Sequence, residues 1–148
     1  MTSATKTAHR APAGTGFAPT HTRTIAVLSA TAAALAVWTL ASPVLGVDLQ
    51  VQRQPGQLEA VGAAEVLLSS LVVSLAGWAS LAILERFTTR ARRVWTVLAL
   101  LVLTLSMAGP LAGGTTTAVK VALALMHLTV AAVLIPALRR SSIIRTPR

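Results

Sequence analysis

Four apolar runs, at residues 24–45, 61–84, 94–111 and 118–138, dominate the chain, and the polar segments between them are short. At about 1.5 Å per helical residue, runs of this length match a hydrocarbon core of about 30 Å. Of 148 residues, 54% are hydrophobic and 11% charged, which leaves too little polar surface to cover a soluble globule. The excess apolar surface calls for lipid. The expected fold is therefore all-α, a transmembrane four-helix bundle, with residues 1–23 and 141–148 as basic tails outside it.

The charges set the expected topology. Of thirteen Lys and Arg, three precede the first run, four lie between the second and third, and four follow the fourth. Arg53 and Lys120 alone fall on the other side. Basic residues collect on the cytoplasmic side of a membrane, so both termini and the middle connector are expected inside, with residues 47–60 and 113–117 outside. The net charge of +9 does not point to nucleic acid, because the basic residues cluster against apolar runs with no interleaved aromatic residues for base stacking. The absence of cysteine excludes disulfides and thiolate metal sites.

Punctuation agrees with four spans. Pro43 and Gly46 end the first; Pro55-Gly56 turns the one sizeable loop; Gly109-Pro110 ends the third before the uncharged Gly-Gly-Thr-Thr-Thr turn. That short link makes the third and fourth spans antiparallel neighbours. Residues 1–23 hold no acid and little apolar surface, and are expected to be disordered. Residues 85–93 read as an interfacial connector, with Phe87 and Trp95 in the headgroup belt and Trp38 and Trp78 deeper. A cleaved signal peptide is the alternative for the first run, although its length exceeds the 7–15 residues usual for such a core. The Ala-Ser-Pro-Val-Leu-Gly and Ala-Gly-Pro-Leu-Ala-Gly endings of the first and third spans hint at a duplicated hairpin, but such residues are common at span ends, and Glu65 has no acidic counterpart in the fourth span.

Ionisable residues inside a bilayer are costly, and three invite attention: Glu65, Lys120 and His127. Glu65 and Lys120 fall roughly 6 Å and 3 Å inside the outer ends of their spans. An ion pair between them is feasible, with Ser69 one turn from Glu65 as a further partner; snorkelling of both to the headgroups is the plainer reading. His127 falls near mid-membrane and needs a hydrogen bond, for which Thr104, Ser106, Ser70 and Ser74 lie at comparable depth. Interhelical polar contact is its first reading; a proton relay, ligand contact or weak metal site follows. Lys120, Ala124, His127 and Ala131 share one helical stripe. Ser70, Ser74 and Gly77 form a small-residue face suited to close helix packing. Arg86, Arg90, Arg92, Arg93, Arg139 and Arg140 are topology determinants that can also hold anionic lipid headgroups. No catalytic residue, metal site or cofactor is expected: one intramembrane His falls short of the three ligands of a catalytic zinc, and no Gly-x-Ser-x-Gly motif or acid–base cluster is present.

The segments Gly-Val-Asp-Leu at 46–49, Leu-Glu-Arg at 84–86 through Arg-Arg-Val-Trp-Thr at 92–96, and Ala-Leu-Met-His-Leu at 124–128 through Ile135-Pro136 carry a resemblance. They look like a family of small actinobacterial four-span membrane proteins classed as a domain of unknown function. The resemblance covers residues 24–140 and implies four spans in a bacterial cytoplasmic membrane, with no catalytic residue to transfer. The functional expectation is a structural, accessory or partner-binding membrane protein without catalysis, working as a homo-oligomer or within a larger complex. A minimal proton-coupled transporter or channel using Glu65, Lys120 and His127 is the alternative, and a membrane-embedded enzyme the third class.

Overall fold

The computed structural model describes residues 19–141. Of the tails expected at residues 1–23 and 141–148, residues 1–18 and 142–148 lie outside the described residues, while residues 19–23 and Ser141 are helical. Helix α1 spans Pro19–Thr39 and runs on into a π-helical turn, Leu40–Val44. It starts ahead of the apolar run, so Arg23, expected in the tail, is helical. Proline suits a first helical position, where its missing N–H has no intrahelical role. The π turn has a local cause. Pro43 cannot donate to the carbonyl one turn back and its ring crowds that carbonyl, so the register widens: Leu45 N donates to Leu40 O at 3.0 Å, an i to i+5 bond.

The expected outer loop is partly a sheet. Strands β1 (Gln50–Gln54) and β2 (Gln57–Ala60) pair antiparallel, with Gln50 opposite Ala60 and an irregularity between Gln52 and Gln54. Gly56 has φ of 80°, the left-handed value that the third position of a type II turn requires, with Pro55 at the second. Helix α2 covers Ala63–Phe87, and α3 follows at Ala91–Ser106 after a three-residue link. Most of the expected connector is thus helix. Met107 interrupts the third span, and a short α4, Ala108–Gly113, completes it; Pro110 sits in the first turn of α4, where a lost N–H matters little. Helix α5, Thr117–Ser141, returns to the starting end.

Four segments, Thr20–Val44, Ala63–Phe87, Ala91–Gly113 and Thr117–Ser141, are long and apolar enough to cross a membrane. Helices α1, α2 and α5 form the centre, and α3 packs outside them against α2 and α5. The core is in two layers. Toward the hairpin, Ala34, Ala41, Leu49, Val66, Val119, Ala122, Leu123 and Met126 cluster; toward the arginine-rich end, Ala26, Ala30, Leu81, Trp95, Leu134 and Leu138 do. Small residues on α1 let the helix backbones approach, which is how membrane helices gain packing energy when lipid is as apolar as the side chains.

The hairpin is pinned as a cap over one end. Leu49 is buried in the first cluster, Val51 bridges Gly114 in the α4–α5 link, and Thr115 Oγ1 donates to Gln50 O at 3.1 Å. Trp38 Nε1 donates to Val61 O at 2.8 Å, tying α1 to the strand exit.

Candidate functional site

At the arginine-rich end, the first turns of α1 converge with the last turns of α2 and α5. Arg23 precedes Ala26, Val27 and Ala30 on the buried face of α1, at the three-four-seven spacing that shares one helix face. Its guanidinium Nη2 donates to both oxygens of Glu85, at 2.7 and 2.8 Å, and to the Ser141 carbonyl at 3.3 Å, while Nε donates to Ser141 Oγ at 3.2 Å. Ser141 Oγ in turn donates to Leu138 O at 2.9 Å. The pair is well shielded, with side-chain exposures of 7% and 16%. Charge, burial and hydrogen bonding thus close three helix ends into one knot. The sequence reading missed it because Arg23 lies before the apolar run. The available signal was Glu85, the one acidic side chain on a side otherwise rich in arginine.

Deeper in the bundle, the polar candidates are held within their own helices. His127 Nδ1 meets Leu123 O at 2.8 Å, one turn back in α5. Ser70 Oγ donates to Val66 O at 2.6 Å, Thr104 Oγ1 to Leu100 O at 2.9 Å and Ser106 Oγ to Leu103 O at 2.7 Å. The interhelical bond expected of His127 with these hydroxyls is replaced by local ones. The reason is geometric: a carbonyl one turn back is always within reach and requires no neighbouring helix to hold its place. Ser74 and Thr31 are buried with hydroxyls that have no partner.

Glu65 lies in the first turn of α2, where a carboxylate favours the helix dipole, and Lys120 in the first turn of α5; both are half-buried at the hairpin end. Glu65 is not without a partner, Ser69 donates to Val66 O at 3.3 Å, and the Lys120 stem packs over Gly114. Lys120, His127 and Leu134 are spaced seven residues apart along α5, close to one face. At the arginine-rich end that face is covered: a Cβ on Gly77 would lie 3.3 Å from Leu134 Cδ2 and 3.8 Å from the Trp95 ring. Trp95, expected in the headgroup belt, is 2% exposed, its Nε1 donating to Gly77 O and Ser80 Oγ, both at 3.0 Å. A buried indole needs such acceptors, and the glycine leaves its carbonyl accessible. Phe87, by contrast, is 83% exposed.

The arginines expected to meet lipid are brought together. Arg86, Arg90, Arg92, Arg93 and Arg139 line an open concavity of about 990 Å³ beside the α2–α3 link, and Arg92, Arg139 and Arg140 line a smaller one of about 290 Å³. Among the described residues no group of three or more His, Asp or Glu is placed to hold a metal ion.

No curated protein and no solved structure matches the chain. One family does: the profile of DUF6069, a family of unknown function, matches residues 16–143, across all four spans, and the chain belongs to that family.

Proposed function

We propose that this protein is a structural, accessory or partner-binding component of a bacterial cytoplasmic membrane, with both termini in the cytoplasm and no catalysis of its own. The observation that supports this reading is how the intramembrane polar atoms are used. His127, Ser70, Thr104 and Ser106 each bond a carbonyl of their own helix, so these bonds lie within single spans and link no two of them. Helix α3 supplies a surface for a partner. Of its sixteen residues, Ala91 and Trp95 are buried, while Val97, Leu98, Leu101, Val102 and Leu105 present apolar surface to lipid, to a second copy or to another membrane helix.

Affinity purification of the full chain in mild detergent, followed by mass spectrometry, tests the proposal. A stoichiometric membrane partner or a homo-oligomer is the expected result. Recovery of a lone chain, together with proton or solute flux in vesicles that His127→Ala abolishes without loss of thermal stability, would establish the transporter reading in its place.

A further inference from the structure

The hairpin end of α1 combines a sequence suited to proteolytic removal with a conformation that opposes it. Val44 and Gly46 stand at the third and first positions before the bond to Val47, the spacing of compact side chains at which secretory leaders are cut. Lys6, Arg10 and Arg23 precede the apolar run with no acid among them, as in such leaders. The whole run at 24–45 is long for one. Ser29 and Thr31 interrupt it, however, and the uninterrupted apolar part nearest the bond, residues 32–38, is seven residues long, within the range of about 7–15 usual for a leader core.

Side-chain burial does not protect this bond, since Val44 and Leu45 are 64% and 74% exposed. Backbone bonding does. A bound peptide that is read as an extended strand offers its own N–H and C=O groups for pairing. Here Leu45 N donates to Leu40 O at 3.0 Å, Gly46 N to Ser42 O at 2.9 Å and Val47 N to Ala41 O at 3.0 Å, so the N–H groups around the bond are already engaged. Gly46 has φ of 67°, in the left-handed region and far from extended. The turn is anchored on both flanks: Ala41 and Leu49 are buried in one core cluster, and Trp38 Nε1 donates to Val61 O at 2.8 Å. Straightening residues 44–47 therefore requires local unfolding that draws Ala41 or Leu49 out of the core.

We propose that α1 is a membrane anchor kept by a conformational lock: the bond between Gly46 and Val47 is a site for the membrane peptidase that removes secretory leaders, and the hydrogen-bonded turn holds it uncut while Trp38, Ala41 and Leu49 are docked. The packing of α1 shows what the lock protects. Ala34 and Ala41 enter one core cluster, Ala26 and Ala30 the other, and Arg23 reaches Glu85 and Ser141. The family profile also includes this helix. A chain that fails to dock α1 is hydrolysed there: water adds across the peptide bond, leaving a Gly46 carboxylate and a Val47 amine, and the remainder has lost a contributor to both core layers. The inference rests on the orientation proposed above, because leader removal takes place on the outer face, where that reading puts the hairpin.

Intact mass spectrometry and N-terminal sequencing of the C-terminally tagged full chain from bacterial membranes test it. The wild type is expected to retain the residues ahead of Gly46. W38F/L49A, which frees both flanks of the turn, should yield at least about tenfold more product beginning at Val47, because truncating a buried leucine raises the population of the opened turn by that factor or more. Adding Gly46→Leu, which sets a bulky side chain beside the bond, should abolish that product. Purified wild-type and R23A chains, incubated in detergent with the leader peptidase, repeat the comparison where W38F/L49A is degraded in cells, and R23A should be cut faster at the same bond. A wild-type chain that begins at Val47 would overturn the proposal. So would loosened variants that stay whole while Gln57→Cys reacts with an impermeant thiol reagent in intact cells, an outcome that leaves the orientation standing. Gln57→Cys that reacts only in opened cells would remove the orientation and the proposal with it.

Discussion

Arg23 gives up most of its hydration to sit 6% exposed among helices, and the structure returns four hydrogen bonds and a carboxylate. Such a pair adds little net stability over apolar residues of equal size, because desolvation offsets much of the attraction, but removing one partner strands the other. Arg23→Ala is therefore expected to destabilise the bundle by about 3 kcal/mol, the lower end of the range for broken buried pairs, since Glu85 retains some contact with water. R23M/E85L should recover most of that loss. Thermal unfolding in detergent compares them, and a double variant no more stable than Arg23→Ala would show that the loss is not that of a stranded carboxylate. This contact was not legible in the sequence. Its partners lie 62 and 118 residues from Arg23, and only the convergence of three helix ends brings them within reach. His127 differs the other way: hydroxyls on neighbouring helices were candidates for its bond, and the acceptor lay four residues back in its own helix.

At the level of elements, two glycines show how tightly the helices and links fit. At Gly77 an added Cβ would press on Leu134 Cδ2 at 3.3 Å, the end of a flexible side chain that can yield by a few tenths of an ångström. At Gly114 it would fall 2.6 Å from Lys120 Cγ and 2.9 Å from the Pro110 carbonyl, and a backbone oxygen cannot move without opening the α4–α5 link. Gly77→Ala is accordingly expected to cost under about 1 kcal/mol and Gly114→Ala about 1–3 kcal/mol. Their melting temperatures give the order directly, and the reverse order would refute this account of the link. The Ser70-Ser74-Gly77 face was visible as helical spacing. That Trp95 would lie over Gly77 was not, because an indole beside a run of arginines fits the headgroup belt equally well on paper. The hairpin lay in the expected loop for a related reason: its strands are short and polar, and what orders them is Leu49 in the core and Val51 against Gly114.

For the whole molecule, the first turns of α1 and the last residue of α5 meet at one end, opposite the hairpin, as an even number of crossings requires. The proposed orientation places the arginine-rich end in the cytoplasm, and the lack of native cysteine makes it directly measurable. Thr89→Cys, in the α2–α3 link, should react with a membrane-impermeant thiol reagent only after the membrane is opened, whereas Gln57→Cys in β2 should react in intact cells; the opposite pattern would invert the topology. The sequence by itself determined the solvent, the number of spans and the gathering of positive charge at one end, because transfer into hydrocarbon is a sum over residues and needs no knowledge of neighbours. Which helices form the centre, how Arg23 meets Glu85 and Ser141, and how the arginines surround a concavity were decided by tertiary structure alone. Those properties depend on distances between segments far apart in the chain, and hydropathy carries no record of them.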